Sequence, residues 1–434
     1  VTRVSTCPPP ADTVSGSSRN TESIRPTNRM MGGAGVTTVE NRADSCPVLN
    51  FDYTAVKPAG TWMQTYDELR AKFPWFRNEF GPGFWTVVNY EGILQIMQNP
   101  EVFSNSVVTA LDPEPQYKWI PEMLDGDEHK QWRNQLGPLF APKAVERLEG
   151  TIRQRAADLI DAFVDRGSCD FMAEFAQRFP TTIFLELMGL PVDELDQFME
   201  WEHAILHGDL GSESGQQKQI EAMMAVMGRF WEIIVERRAE PRDDIVSKAL
   251  EYEIDGEPVS DADLLSFCLL MFMAGLDTVS VTLGWIFLHL ARNDSDRERI
   301  LADPGVVNSA VEEFLRAYAI VIPARKVVKD IEIQGCPMKA GDMVNIPLIA
   351  ATRDEAAFPD AKTVDITRKP NRHIAFGAGP HRCLGSHLAR LELQIAMQEW
   401  HKRIPNYRVA DGAELQESGG QLGLNSLPLE WGVG

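Results

Sequence analysis

Residues 264–291 form an almost unbroken apolar run, and no other stretch constrains the fold of this chain as much. Asp277 is its only acidic residue. As a helix, such a run is about 42 Å long, enough to cross a bilayer. A membrane helix usually has basic flanks and interfacial aromatics. This segment begins instead at Ser260-Asp-Ala-Asp263, a hydroxyl followed three residues later by a carboxylate, which is how a soluble helix is capped. All-round hydrophobicity also marks a helix buried at the centre of a large soluble protein. A chain of 434 residues, 44% of them hydrophobic, has enough core to bury it.

Asp277 needs a reason to be there, because a carboxylate in an apolar helix is costly unless paired. One reading is a core aspartate held by a hydrogen bond or an ion pair. The other takes Ala274-Gly-Leu-Asp-Thr278 as a unit. Gly275 would remove a side chain where a flat ligand or a small gas molecule approaches. Thr278 would offer a hydroxyl to a bound diatomic, and Asp277 would bring protons in from water.

A second constrained stretch is Phe376-Gly-Ala-Gly-Pro-His-Arg-Cys383-Leu-Gly385. Its glycines and Pro380 exclude an ordinary helix or central strand, so it is a shaped loop. Leu384, Leu388, Leu391 and Ile395 then recur at helical spacing. Cys383 therefore sits where a loop enters a helix, whose positive end favours a thiolate. A thiolate with backbone amides around its sulfur suits a haem iron as axial ligand. Taken alone, a cysteine is a small buried hydrophobe. A zinc site from His381, Cys383 and His387 lacks the spaced ligand pairs that zinc favours. A nucleophilic cysteine needs a base and an oxyanion pocket, and the sequence identifies neither.

Glu313-Phe-Leu-Arg316 sets an acid and a base three apart on one helical face, alone a surface pair worth ~0.3 kcal/mol. Glu312 is also within reach of Arg316. His129 and Arg133 are four apart and share a face. Arg325 follows Ile322-Pro-Ala324, and His373 and His381 bracket the cysteine loop. Singly, each of these reads as a solvated surface group.

Together these segments resemble the cytochromes P-450, the haem-thiolate monooxygenases, over residues 50–434 and in family order. The pattern F-x-x-G-x-H-x-C-x-G is filled by Phe376, Gly379, His381, Cys383 and Gly385. Lys339-Ala-Gly-Asp342 and Thr352-Arg-Asp354 match weaker landmarks. The resemblance implies a mainly α fold with small β-sheets, a triangular helical prism. It implies haem b clamped between the apolar helix and the cysteine loop, with Cys383 on the iron. Glu313, Arg316 and Arg368 would form the ion network that fixes this loop. His129, Arg133, Arg325, His373 and His381 would meet the haem propionates. The implied activity inserts one atom of O2 into an apolar substrate by hydroxylation or epoxidation, with Asp277 and Thr278 managing protons. Electrons would come from a ferredoxin or flavodoxin with a separate reductase, as in soluble bacterial members. Two alternatives stay open: a peroxide-driven peroxygenase, which would be expected to replace the acid–alcohol pair, and a non-catalytic haem-thiolate redox or gas sensor.

The expected substrate walls include Trp119, Met273, Ala274, Ile320, Ile322 and Leu424. Residues 198–231 add Met199, Trp201, Met223, Met224, Met227 and Phe230. A methionine stripe is more often plain core, but methionines also make adaptable binding walls. Such walls favour a lipid-, fatty-acid-, steroid- or terpenoid-like substrate.

Composition limits the partners. A net charge of -21, from 42 basic and 63 acidic residues, argues against nucleic acid or an anionic membrane as main partner. Lys130, Lys143, Arg147, Arg372 and Arg382 would still give the cysteine side a basic patch for an acidic ferredoxin. Six cysteines without disulfide-like spacing suit the cytoplasm. Residues 1–47, polar and rich in Pro, Gly and Ser, read as a disordered extension with no anchor or signal core. Residues 48–434 then form a single domain. Helical spacing predicts helices over 90–97, 126–165, 171–187, 192–205, 216–239, 260–292 and 306–317. Strands are expected at Trp85-Thr-Val-Val88 and within 325–350, with a turn at Gly335-Cys-Pro337.

Overall fold

The computed structural model describes residues 37–40, 46–206 and 212–433. Most of the expected N-terminal extension lies outside the described residues. One part of that expectation is corrected: Thr37–Glu40 is a strand, antiparallel to Val48–Asn50. Three of its four residues are β-branched, which the low hydrophobicity of the segment had masked.

The apolar run is the helix Asp261–Arg292, 32 residues long. Its capping is as expected: the Ser260 hydroxyl accepts from the Asp263 N–H at 3.1 Å and donates to the Asp263 carboxylate at 2.8 Å. It is long and apolar enough to cross a membrane, yet 67% of its most apolar window is buried inside the protein. It is a core helix. Up to Leu276 it packs in a cluster with Phe184, Phe198, Phe230 and Trp132. From Val279 onward it belongs to a second, larger cluster with Phe163, Phe171, Phe175 and Trp400. Asp277 and Thr278 therefore stand at the seam between two apolar cores.

Proline breaks what periodicity alone reads as one helix over 126–165. The chain forms Gly126–Leu136, then a short 3-10 turn, then Pro142–Glu146 and Glu149–Asp161. Pro138 and Pro142 each lack the N–H that a continuous helix needs. Asp294–Ala302 is a further helix that periodicity did not single out. The sheets are small. The largest has seven strands and includes Phe84–Val87, Met343–Asn345 and Ala324–Val327, which carries Arg325. The expected turn at 335–337 is displaced: Gln334 and Gly335 turn with positive φ, and Cys336–Met338 pairs back as a strand.

Candidate haem-thiolate site

Local backbone geometry shapes the cysteine loop. Gly377 and Gly379 both have φ of 71°, a conformation that costs glycine little. At Gly379 a side chain is also excluded by space, since an added Cβ would lie 2.4 Å from the Met97 carbonyl oxygen. The Cys383 N–H donates to the Phe376 carbonyl at 2.8 Å, which folds the loop over itself. Gly385 caps the helix Ser386–Arg403, and its N–H points at the Cys383 sulfur. An added Cβ at Gly385 would meet no protein atom within 4 Å, and its φ of -76° suits any residue. Among the described residues nothing demands glycine there, so the space beside Gly385 and Cys383 suits a ligand.

Cys383 is exposed, yet it lies deep enough that burial pushes its thiol up. The Gly385 N–H and the Arg133 and Arg382 guanidinium groups pull the other way and do not win. The helix end favours the thiolate, as expected, but desolvation outweighs it. A coordinated cation would hold the thiolate, because a metal deprotonates its thiol ligand.

Between Phe267 and Ala291 the central helix is buried except at Met271, Ala274, Gly275 and Thr278, which share one face over two turns as an open stripe. Leu384, next to Cys383, packs on the same apolar cluster as Met273 and Leu276. The Thr278 hydroxyl donates to the Ala274 carbonyl at 3.2 Å. Asp277 turns inward and is only 3% exposed, and the Ser280 hydroxyl lies 3.4 Å from its carboxylate. Asp277, expected to bring protons in from water, occupies a buried position one residue from the open stripe. Gly275 is corrected as well. An added Cβ there would meet the Phe184 ring at 3.3 Å, so the glycine makes room for a neighbouring helix.

Glu313 and Arg316, both fully buried, form a two-pronged pair at 2.8 Å and 2.8 Å. Arg316 spends its other protons on the carbonyls of Thr352, Ala361 and Thr363. Glu313 also accepts from Arg368 at 3.1 Å, the Asp365 N–H at 2.8 Å and Asn371 at 3.1 Å. The network expected of Glu313, Arg316 and Arg368 is present and satisfied, a condition for a stable buried ion pair. Glu312 has a different role. It pairs with Arg390 at 2.5 Å and His373 at 3.0 Å. Burial would raise its carboxyl, but these partners outweigh it and bring the pKa to about 2. Arg390 also lies 4.5 Å over the Phe376 ring, bracing the loop from behind. Neither Glu312 nor Arg390 was legible as a pair, because 78 residues separate them.

His129, Arg133, Arg325 and His381 come together as expected. The rings of His129 and His381 stack with centroids 3.9 Å apart. Arg133 donates to the Arg382 carbonyl at 2.6 Å. Burial pushes Arg325 down to about 10, although Glu122 and Asp125 pull it up. Burial, together with His381 and Arg133, brings His129 down to about 4. Burial depresses His381 despite Asp125, whose carboxylate stands 3.4 Å from its Nε2. Four desolvated basic groups that repel one another make a site two carboxylates would relieve. With an open cysteine sulfur alongside, the residues fit haem and its propionates. His373 does not join them: Glu312 holds its Nε2, and the Ala375 N–H donates to its Nδ1 at 3.2 Å. Sequence reasoning missed Asp125, the N-cap residue four before His129.

Trp119 and Met273 lie in the first apolar cluster, and Ile320, Ile322 and Leu424 in the second. Ala274 lies on the open stripe between them. Met224 and Met227 are corrected: they are 68% and 40% exposed and face outward, while Ala222, Val226 and Phe230 turn inward. A separate surface cleft of about 1200 Å³ lies beside Tyr90, Arg368 and Arg372 and includes neither Cys383 nor Thr278.

A family model described as cytochrome P450 matches residues 59–400. The chain is 34% identical over 355 residues to a probable cytochrome P450 127A1 of Sinorhizobium fredii, covering 81% of this chain and 84% of that protein. It is 31% identical to a methyl-branched lipid omega-hydroxylase of Mycobacterium tuberculosis, covering 81% and 85%. The crystal structure of CYP101J2 superposes with a TM-score of 0.81 at 31% identity, covering 91% of this chain and all of that one.

Proposed function

This chain belongs to the cytochrome P450 family of haem-thiolate monooxygenases, and on that premise we propose that it oxidises an apolar, lipid-like substrate by hydroxylation or epoxidation. The observation that carries the proposal is the Ala274–Thr278 stripe, open at the seam between two apolar cores with buried Asp277 beside it. A bacterial relative is named for hydroxylating a methyl-branched lipid, which supports the same substrate class.

We assign haem b as the prosthetic group and Cys383 as its iron ligand. When bound, haem supplies the oxygen activation, with a thiolate ligand that favours O–O cleavage. Gly385 and the Arg133 and Arg382 charges steady the sulfur, and Glu313, Arg316 and Arg368 hold its loop in place. Arg133, Arg325, His129 and His381 would take the propionates. Thr278 would offer its hydroxyl from the open stripe, and the buried Asp277 beside it would supply protons. Met273, Ile320, Ile322 and Leu424 exclude water and favour an apolar substrate. Electrons would arrive from a ferredoxin or flavodoxin through the exposed Lys130, Lys143, Arg147, Arg372 and Arg382. Cys169, Cys268, Cys336 and Cys383 are free thiols, in keeping with a cytoplasmic setting.

Coupling measurements test the proton-handling assignment. Thr278→Ala should keep the carbon monoxide spectrum and substrate affinity while diverting reducing equivalents into hydrogen peroxide. Asp277→Asn should slow turnover by ~10²-fold, the usual cost of a lost proton donor. Full coupling of product to nicotinamide consumed in Thr278→Ala would contradict the assignment.

A further inference from the structure

Beyond the oxygen-binding stripe, the central helix carries a second polar constellation. Trp285 lies seven residues past Thr278, on the same helical face and about 10 Å further along the axis. Its indole N–H donates to the Leu422 carbonyl at 2.6 Å. Its ring stacks on Tyr318 with centroids 5.6 Å apart and planes 8° apart. The Tyr318 hydroxyl stands 2.9 Å from His289 Nδ1, and His289 Nε2 stands 2.8 Å from Asp296. A carboxylate only accepts, so Nε2 carries a proton. In the neutral ring Nδ1 is then a lone pair aimed at the phenol. His289 is buried, whereas the Asp296 carboxyl is 24% exposed. Burial pushes the Tyr318 phenol up to about 12, so it keeps its proton at neutral pH unless it also loses an electron.

We propose that Trp285, Tyr318, His289 and Asp296 form a proton-coupled electron relay that drains oxidising equivalents from the haem site toward the surface. The proposal rests on the monooxygenase reading, whose chemistry supplies the oxidant when no substrate is in reach. Trp285 would give that oxidant one electron. Tyr318 refills Trp285 with one electron as its O–H bond breaks, and the proton forms a new N–H bond at His289 Nδ1. The products are a neutral tyrosyl radical and an imidazolium neutralised by Asp296. A one-electron reductant from solution, such as a thiolate, restores the phenol as the proton returns. Tyr407 provides an internal contrast. Its hydroxyl is 3.2 Å from His401 Nε2, but among the described residues no carboxylate pairs with His401. Burial brings His401 to about 4, which makes it a poor proton acceptor.

The test uses haem-loaded, substrate-free protein mixed with a peracid, freeze-quenched and examined by electron paramagnetic resonance. The wild type is expected to show a tyrosyl radical that Tyr318→Phe loses and Tyr407→Phe retains. Trp285→Phe and His289→Gln should each lower its yield, and His289→Gln should remove the g-value shift produced by a hydrogen-bonded imidazolium. The reduced carbon monoxide spectrum of each variant reports separately on the haem site. A second arm replaces the peracid with photogenerated ruthenium(III) tris-bipyridine, an oxidant that owes nothing to the iron. An unchanged tyrosyl signal in Tyr318→Phe, equal yields in wild type and His289→Gln, or no tyrosyl signal with either oxidant would overturn the relay. A Tyr318 radical in the ruthenium arm from protein without the thiolate spectrum would withdraw its haem source and the monooxygenase reading with it.

Discussion

At the scale of single residues, desolvation decides more than local sequence suggests. The shaped loop that carries Cys383 was legible, because its glycines and Pro380 exclude an ordinary helix or strand. The raised Cys383 thiol was not, because a helix-end argument sees the nearby amides and misses the protein packed around the loop. His373 misled for a related reason. Its partner Glu312 is 61 residues away in sequence, and no spacing rule reports that distance. Glu392 extends the same lesson. It is 3% exposed on the helix that follows Cys383, and burial pushes its carboxyl up to about 8. The folded state therefore holds a proton that the unfolded chain releases near pH 4.5. Its contribution is fully present below that pH and is lost as pH rises toward about 8. Glu392→Gln should flatten the fall in stability between those limits, as read from urea midpoints across pH. Equal slopes in the two proteins would contradict it.

At the scale of elements, the central helix was legible throughout: cap, length and apolar face all follow from composition and periodicity. Its neighbour Glu213–Ala239 was legible only as a helix. Apolar side chains run around much of it, so Met223 and Met224 cannot be sorted into inside and outside by spacing, and the second of them proves to be exposed. The helix Val307–Ala317 shows how one element governs another. Glu313 ties it to Asp365, Arg368 and Asn371, the chain leading into the cysteine loop. Glu313→Ala would leave Arg316 buried without its counter-charge, a loss of about 3–5 kcal/mol. The expected readout is haem release and a lower unfolding midpoint. Retention of haem at wild-type stability would show that the network is dispensable.

At the scale of the whole molecule, charge and fold separate cleanly. The chain carries -21 overall, yet Lys130, Lys143, Arg147, Arg372 and Arg382 are all exposed. If these receive an acidic ferredoxin, reduction should slow as salt shortens the Debye length below its ~10 Å at 0.1 M. Arg372→Glu should slow it further at low salt, and rates indifferent to both changes would count against the patch. The two apolar cores meeting at Asp277 and Thr278 could not be foreseen from the sequence, because only packing shows where one cluster ends and the next begins. The proposed function depends on one assigned bond, the one Cys383 would make to iron. The most direct measurement is the carbon monoxide difference spectrum of the reduced, haem-loaded protein beside that of Cys383→Ala. The wild type should show the red-shifted Soret band of a thiolate ligand and the variant should lose it; a variant that keeps the band would place the iron on another ligand.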